Sequence, residues 1–234
     1  MLETDCHSGS QLLLAREPGI MTTREKIFIF GASGHAKVVI DAVERQGTYE
    51  IAFLIDDDPN LKRKNIYGYS VLGDKTALLK QQNIRDVSAG IVAIGSNGAR
   101  MHIARWLLEK GFRLVTVVHP SAQLARGVVI GRGTVVMAGA VINADTIIGD
   151  NVIVNTRVSV DHDCFIADGA HLAPGAILCG AVSIGEASFI CAGATVIPNL
   201  VVGRNVTIGA GSTVIRDVTD GKTVVGSPAR ILAV

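Results

Sequence analysis

Aromatic side chains are scarce in this sequence, and their scarcity constrains the core. The 234 residues include six Phe, three Tyr and one Trp, whereas Val, Ile, Ala and Gly are abundant. A core with few rings indicates a fold that stacks small branched side chains in layers. A chain of this length can bury such a core in one large domain or in two small ones.

The number of cysteines and the net charge are also low, and each of these low values argues against a class of protein. The four cysteines lie far apart, without a C-x-x-C pair, at Cys6, Cys164, Cys179 and Cys191. This dispersion argues against a zinc knot or a disulfide framework, and we interpret the last three cysteines as small apolar fillers in a reducing compartment. A formal net charge of +1 provides no strong field for nucleic acid or for an anionic membrane, so we expect neither partner.

The sequence also lacks a long apolar run. None reaches the length of a transmembrane helix, so we expect no membrane insertion. Residues 1–20 lack the basic start, the apolar stretch and the cleavage site of a signal peptide. We interpret residues 1–20 as a disordered leader that precedes Met21, and we expect a cytoplasmic protein.

The first predicted domain, residues 21–117, alternates strands and helices. The predicted strands are KIFIFGASG, EIAFLIDDD, IVAIG and RLVTVVHP. The predicted helices are HAKVVIDAVERQG, which ends at Gly47, and NGARMHIARWLLEKG, which has Asn97 as its N-cap. This alternation predicts a Rossmann-like α/β domain with a small parallel sheet, whose ligands bind at the carboxyl ends of the strands.

The second predicted domain, residues 118–234, follows a six-residue period. From Val118 to Val214 every sixth residue is Leu, Ile or Val. Neither an α-helix nor an ordinary strand has this period, whereas an all-β parallel β-helix with one hexapeptide on each flat side does. With three sides to a coil, residues about 18 apart stack, and the run makes about five coils.

Small and polar residues follow the first three predicted strands. Because the carboxyl ends of parallel strands meet at one edge of a sheet, we expect these residues to line one crevice. The glycine-rich turn lacks the G-x-G-x-x-G spacing, which disfavours NAD binding; a tight turn without a ligand is the other alternative. The candidate binding residues are Ser33, Gly34, His35, Asp56, Asp57 and Gly95.

A second constellation lies in SVDHDCFIADGAHLAPG, residues 159–175. It carries two histidines outside the aliphatic stripe, His162 and His171. One alternative is that both are solvated surface side chains. Asp161 and Asp163 flank His162, however, and a nearby carboxylate raises the basicity of an imidazole. The segment therefore indicates a reactive site.

The order of these motifs resembles a known family. Along residues 26–232 the chain carries GASGH, IDDD, AIGSN, DHD with a second histidine nine residues on, and VVGSPAR. Together they resemble the bacterial nucleotide-sugar acetyltransferases, above all the UDP-4-amino-sugar N-acetyltransferases that make bacillosamine; the sialic acid O-acetyltransferases share the layout. The resemblance implies a left-handed β-helix of hexapeptide repeats, a homotrimer with its cleft between neighbouring β-helices, and acetyl-CoA as cosubstrate. It assigns the crevice of the first domain to a nucleotide-linked amino sugar.

The resemblance also implies roles for individual residues. His162 takes the place of the general base and Asp163 that of its acidic neighbour, where the bacillosamine enzymes have glutamate. His171 matches the residue that meets the thioester end of acetyl-CoA, and Asn155 matches a polar residue beside the reacting amine. No metal is implied. The residues that match the backbone along the pantetheine arm are Gly180, Ala192 and Ala210.

We therefore predict an acetyl-CoA-dependent N-acetyltransferase that acts on a UDP-, GDP- or dTDP-linked 4-amino-4,6-dideoxysugar, for bacterial surface glycan or glycoprotein biosynthesis. Cys164 is not expected to be a nucleophile, because its register points it inward. Sugar O-acetylation of the sialic acid type and non-catalytic nucleotide-sugar binding stay open as alternatives. A γ-type carbonic anhydrase, which holds zinc on three histidines, is disfavoured because only His162 and His171 lie well inside the predicted β-helix.

Overall fold

The N-terminal part of the molecule is a parallel sheet flanked by helices. The computed structural model describes residues 24–85 and 87–232, so the predicted leader lies outside the described residues. In chain order the elements are β1 (Glu25–Phe30), α1 (Gly34–Gln46), β2 (Tyr49–Ile55), β3 (Asn65–Ile66), β4 (Tyr69–Ser70), α2 (Lys75–Arg85), β5 (Ala89–Val92), α3 (Asn97–Glu109) and β6 (Arg113–Leu114). Strands β2, β1, β5 and β6 lie side by side in that order and run parallel, while β3 and β4 form a small antiparallel hairpin.

The apolar run in β1 is continuous because both of its faces are covered. Ile27 and Ile29 pack in one core with α1, whereas Phe28 and Phe30 pack in a second core with α2 and α3. A strand buried on both faces has no polar alternation, as is usual in parallel sheets. Helix α1 ends as predicted at Gly47, which adopts a φ of 70° that suits glycine.

Two predicted boundaries in this part are wrong. Ser96 is the N-cap of α3, and Asn97 is the first helical residue. The Asn97 side-chain amide instead donates to the carbonyl oxygens of Ala187 and Ser188, at 2.8 and 3.2 Å. The run RLVTVVHP is not one strand, because its first half forms β6 while its second half belongs to the β-helix.

From Val117 onward the chain coils into a three-sided β-helix. Its strands are β7 (Val117–Val118), β8 (Gln123–Leu124), β9 (Val129–Ile130), β10 (Val135–Val136), β11 (Val141–Ile142), β12 (Ile147–Ile148), β13 (Ile153–Val154), β14 (Ser159–Val160), β15 (Phe165–Ile166), β16 (His171–Leu172), β17 (Ile177–Leu178), β18 (Ser183–Ile184), β19 (Phe189–Ile190), β20 (Thr195–Val196), β21 (Val201–Val202), β22 (Thr207–Ile208), β23 (Thr213–Val214), β24 (Thr223–Val225) and β25 (Arg230–Ile231). The junction face contains β7, β10, β13, β16, β19, β22, β24 and β25. The second face contains β8, β11, β14, β17, β20 and β23, and the third contains β9, β12, β15, β18 and β21.

The register follows the period read from the sequence. Val136 pairs in parallel with Val154 and Ile148 with Ile166, one full coil apart. The predicted left-handed β-helix is confirmed, with about 6 turns rather than the five expected. The aliphatic residues of the six-residue period fill the interior, and from Val136 to Val214 each of them is buried.

The two parts of the chain share a core at the junction face. Val135 and Ile153 project outward from this face and are buried in the same cluster as Val39 of α1. The outward side chains of the third face, such as Ile147 and Phe165, are exposed. The N-terminal part is therefore packed on one side of the triangular β-helix.

Candidate active site

The predicted catalytic residues His162 and Asp163 form a pair at the corner between the second and third faces. They occupy the tight turn after β14, where Asp163 adopts a left-handed φ of 58°. His162 Nδ1 lies 2.7 Å from Asp163 Oδ2, and the two side chains are 59% and 63% exposed. The hydrogen bond to Asp163 and the charge of Asp161 raise the pKa of His162 above its usual value. With Nδ1 engaged, Nε2 of the ring is the atom left for a substrate.

Asp161 orders the backbone of the same turn. Its Oδ1 accepts hydrogen bonds from the His162 backbone N–H and from Asn143 Nδ2, both at 2.9 Å. These two bonds lower the pKa of Asp161, so that its carboxylate stays ionised beside the imidazole. Asn143 was not among the predicted site residues, because only the stacking of successive coils brings it to Asp161.

Gly180 supplies the space in which the His162 ring lies. It occupies the equivalent turn of the next coil, where the Ala181 N–H donates to the His162 carbonyl oxygen at 2.9 Å. A Cβ added at Gly180 would lie 2.7 Å from both Cε1 and Nε2 of His162. Any larger residue would therefore displace the imidazole, so Gly180 adjoins the predicted base directly.

The other two small residues predicted along the pantetheine arm lie at a different corner. Ala192 and Ala210 occupy exposed turns between the junction and second faces, and they stack because the Gly211 N–H donates to the Ala192 carbonyl oxygen at 2.9 Å. The second face separates this column from His162 and Gly180. Predicted acetyl-CoA contacts thus flank the second face on both sides.

The loops after β1, β2 and β5 converge on one edge of the N-terminal sheet, as the strand order predicts. Asp56 Oδ2 accepts the Ala32 N–H at 2.8 Å, and Asp56 Oδ1 accepts the Asp58 N–H at 2.9 Å. Asp56 therefore links the loop after β1 to the loop after β2, and both loops line the crevice. A Cβ added at Gly31 would lie 2.6 Å from the Ala93 carbonyl oxygen, so this unpredicted glycine permits the close approach of the first and third loops.

The remaining candidates of the crevice lie at its rim. Asp57 Oδ2 is 2.8 Å from Lys75 Nζ at the start of α2. Ser33 is the N-cap of α1 and Gly34 is its first residue, and both are exposed. A helix N-terminus presents free backbone N–H groups and favours anions such as phosphate, which fits the predicted nucleotide end of the ligand.

His171 opens β16 on the junction face, where the N-terminal part covers it. Asn155 Nδ2 lies 3.3 Å from His171 Nε2, and the ring centroids of His171 and Phe189 are 4.9 Å apart. The ring centroid of His35 lies 6.5 Å from the ring centroid of His171. The His171 ring also forms a hydrogen bond with the backbone of Gly95. The structure thus brings four predicted residues into one group, called the junction cluster: His35, Gly95, Asn155 and His171.

The imidazoles of the junction cluster are weak bases. Burial and the charge of Arg100 lower the pKa of His35 to about 4. Burial, Arg100 and His35 likewise lower the pKa of His171 to about 4. Both rings are therefore neutral at pH 7, and within the described chain His35 Nε2 is buried without a hydrogen-bond partner.

Arg100, on α3, is a buried charge that did not appear among the predicted residues. Its side chain is 1% exposed and donates to oxygens of both parts of the molecule. Burial lowers the pKa of the Arg100 guanidinium to about 10, so it stays charged at neutral pH. In sequence it is one arginine among several on a helix, and nothing in the pattern marks it as buried.

The junction cluster and the His162 corner lie on opposite sides of the β-helix. From β13 on the junction face the chain passes to β14 on the second face, then through His162 to β15 on the third, and returns at His171. In a three-sided cross-section, the corner between the second and third faces is opposite the junction face. Within the described chain His162 and His171 are therefore kept apart.

In residues 24–85 and 87–232 no helix is both long enough and apolar enough to cross a bilayer. Within the same ranges no three His, Cys, Asp or Glu side chains group closely enough to hold a metal ion.

Comparisons with known protein families match both parts of the chain. The family described as the PglD N-terminal domain matches residues 26–107, which include all the predicted crevice residues. The family described as bacterial transferase hexapeptide (six repeats) matches residues 181–216 of the β-helix.

Solved structures match the fold over nearly its whole length. PerB from Caulobacter crescentus, in complex with CoA and GDP-perosamine, is 41% identical, with a TM-score of 0.84 over 89% of this chain and 97% of that chain. The acetyltransferase domain of PglB from Neisseria gonorrhoeae, in complex with acetyl coenzyme A, is 38% identical, with a TM-score of 0.82 over 89% of this chain and 100% of that chain. WeeI from Acinetobacter baumannii is 30% identical, with a TM-score of 0.79 over 88% and 100% of the two chains. With this identity across almost the entire length of its relatives, the chain belongs to the bacterial nucleotide-sugar acetyltransferase family.

Proposed function

We propose that this protein transfers the acetyl group of acetyl-CoA to the amino group of a nucleotide-linked 4-amino-4,6-dideoxysugar. The observation that carries the proposal is the His162–Asp163 pair above Gly180, in which a base is oriented by a carboxylate at hydrogen-bond distance. The Caulobacter relative is a perosamine N-acetyltransferase, and variants of it with one histidine replaced by Asn or Ala hold CoA and GDP-perosamine. Perosamine is a 4-amino-4,6-dideoxysugar, so GDP-perosamine is the first substrate to test.

His162 acts as the general base in this proposal. With Nδ1–H donating to Asp163, the neutral ring presents Nε2 as an acceptor. Nε2 takes a proton from the sugar amine as the nitrogen attacks the thioester carbonyl, which forms the C–N bond and places negative charge on the carbonyl oxygen. Collapse of this intermediate breaks the C–S bond, and the departing CoA thiolate recovers the proton from the imidazolium. The acetyl group does not pass through Cys164, because that side chain is buried and burial raises the pKa of its thiol.

The other predicted residues divide between the two substrates. The thioester has to reach the sugar amine, and His171 lies beside the crevice, so the His171 ring is the proposed contact of the thioester end. Asp56 braces the crevice through the Ala32 and Asp58 backbone. The proposed contacts of the nucleotide sugar are Ser33, Gly34, His35, Asp57, Gly95 and Asn155. The proposed contacts of acetyl-CoA, besides His171, are Gly180, Ala192 and Ala210.

A homotrimer completes the site in this proposal. His162 lies opposite the junction cluster of its own chain, so a second chain has to supply the base. The third face also carries a column of half-exposed aliphatic and aromatic side chains, which packing against another copy would remove from water. The column contains Val129, Ile147, Phe165 and Val201, with Ser183 between the last two. Acetyl-CoA is an intracellular metabolite, so the proposed location is the cytoplasm.

The trimer and the shared site are tested together. Light scattering is expected to give the mass of three chains, and a mass near one chain would contradict the proposal. Mixed assembly is a sharper test: His162→Ala chains lack the proposed base, and His171→Ala chains are slow at acetyl-CoA concentrations far below their raised KM. At such a concentration, the two kinds of chain refolded together should recover part of the activity. A mixture as inactive as its components would show that each site is built within one chain.

The activity is tested with purified protein, acetyl-CoA and GDP-perosamine. Thiol release and a gain of one acetyl group on the sugar are the expected results, and UDP- and dTDP-linked 4-amino sugars in parallel identify the preferred nucleotide. Sialic acid tests the O-acetylation alternative, and acetylation of sialic acid alone would replace the proposal. Tight nucleotide-sugar binding without thiol release would instead indicate a non-catalytic binding protein.

A further inference from the structure

Arg100 connects the two parts of the molecule through neutral acceptors. Its guanidinium donates to six oxygens drawn from three separate segments of the chain. The distances are 2.8 Å to Asn151 O, 3.1 Å to Ile94 O, 3.2 Å to Gly95 O, 2.9 Å to Asn97 Oδ1, 2.8 Å to Gly169 O and 3.4 Å to Ala170 O. Within the described residues no carboxylate is among these partners.

Stabilisation of the fold does not by itself explain why the charged Arg100 side chain is buried here. Taking an ion out of water costs several kcal/mol after relaxation, and an apolar replacement of similar volume is often neutral or stabilising. Arg100 is 1% exposed and has only dipoles to compensate its charge. This arrangement points to a role beyond packing.

The contacts of Arg100 meet at the junction cluster. Nη1 binds the carbonyl oxygen of Gly95 in the loop after β5, and the Gly95 backbone is also a hydrogen-bond partner of His171. Nη2 binds the carbonyl oxygens of Gly169 and Ala170, the two residues that precede His171. One guanidinium therefore fixes both the loop that contacts His171 and the turn that carries it.

Arg100 is also the charge that acts on both imidazoles of the cluster. The groups that lower the pKa of His171, after burial, are Arg100 from α3 and His35 from α1. For His35 the charged group is again Arg100. A neutral imidazole offers one donor and one acceptor, whereas a protonated ring offers two donors and would repel a sugar ammonium.

We propose that Arg100 is a positioning residue of the acetyl-transfer site, which locks the Gly95 loop to the turn before His171 and so holds His35, Asn155 and His171 in one arrangement toward the nucleotide sugar. The inference rests on the proposed function of this crevice. Arg100 itself is enclosed by backbone and acts through the cluster rather than on substrate.

Two substitutions separate the geometric part of this role from the electrostatic part. Arg100→Lys keeps the charge but offers three donors instead of a planar fork of five, and Arg100→Met keeps much of the volume without the charge. Arg105→Met on the same helix is the matched control, because Arg105 is exposed. Thermal unfolding identifies the variants that are folded.

The kinetic readout is the acetylation of GDP-perosamine. Arg100→Lys should lower kcat/KM for the nucleotide sugar by roughly tenfold or more, the size expected when a site is loosened rather than removed, and Arg105→Met should leave it unchanged. If a folded Arg100→Lys protein retains the original kcat/KM, the guanidinium does not position the site. Because this outcome depends on the lysine variant, the test holds even if Arg100→Met fails to fold.

The second readout needs no activity. Histidine ring resonances, assigned with His35→Asn and His171→Asn, should show both rings neutral down to about pH 5 in the unmodified protein, below the usual midpoint near 6.5. In Arg100→Met the two midpoints should move upward, and in Arg100→Lys they should stay low. Unchanged midpoints in a folded Arg100→Met protein would overturn the electrostatic part. If the unmodified protein acetylates no amino sugar, the proposed function fails, whereas the titrations still decide whether Arg100 controls the cluster.

Discussion

His162 and His171 are nine residues apart in the sequence, yet the fold places them in opposite environments. His162 lies at an exposed corner, where the hydrogen bond to Asp163 and the charge of Asp161 raise its pKa. His171 lies under the N-terminal part, where burial, Arg100 and His35 lower its pKa to about 4. The comparison shows that the place in the fold decides whether a histidine is suited to accept a proton or to stay a neutral hydrogen-bonding group.

Removal of the exposed histidine should have the largest effect. His162→Ala is expected to lower kcat by roughly 10²–10⁴-fold, the usual range for loss of a general base. KM for GDP-perosamine should change little, because the nucleotide is proposed to bind to the N-terminal part. His171→Ala is expected instead to raise KM for acetyl-CoA. Steady-state kinetics at pH 7 measure both variants, and near-normal turnover by His162→Ala would mean that His162 is only a surface residue.

The buried histidines should make folding sensitive to acid. Their pKa values of about 4 lie below the unfolded value near 6.5, so between these limits the unfolded chain binds more protons than the folded one. The free energy of unfolding should therefore fall as pH drops from 6.5 to 4, by an amount on the order of 3 kcal/mol for each imidazole. Urea unfolding at several pH values measures the slope. Replacing His35 or His171 by Asn should flatten it, and variants whose slopes equal that of the unmodified protein would refute this explanation.

A side chain added beside the exposed His162 ring should lower activity without lowering stability. Gly180→Ala places a Cβ where the His162 imidazole lies, but that ring can rotate into solvent. We expect kcat to fall by about tenfold, since small displacements of a catalytic group are costly, while the melting temperature changes little. Gly98→Ala is the matched control, because an added Cβ there meets no atom within 4 Å. A Gly180→Ala enzyme with full activity would show that the position of the ring is not important.

The smallest change is expected from the partner of the base. Asp163→Asn removes the charge that favours the imidazolium, so the pKa of His162 should fall. The proposed mechanism requires neutral imidazole, and the acid limb of the kcat profile should therefore move to lower pH. The loss at pH 7 should be severalfold and smaller than for His162→Ala. An acid limb that stays in place would show that the pair does not control the titration of the base.

Periodicity explains how much of the fold was accessible from sequence. The six-residue repeat from Val118 to Val214 requires an interior aliphatic residue on every flat side, and this requirement predicted the β-helix. The continuous apolar run of β1 likewise predicted a covered parallel strand. Helix α2 has a polar sequence without a clear stripe, and RLVTVVHP is divided between two sheets although its pattern reads as one strand. Local pattern indicates a strand but does not indicate which sheet the strand joins.

The sequence by itself determined the interactions between side chains that are neighbours along the chain. His162 and Asp163 are adjacent in one turn, so their pairing needs little beyond that turn. Only the tertiary structure decided which residues lie against them and which histidine is buried. Gly180 adjoins His162 through the stacking of coils, and Arg100 meets His171 because the N-terminal part packs on the junction face. Burial depends on segments far apart in sequence, and together with Arg100 and His35 it lowers the pKa of His171. The pKa of His162 is instead raised by Asp163 and Asp161, its neighbours along the chain.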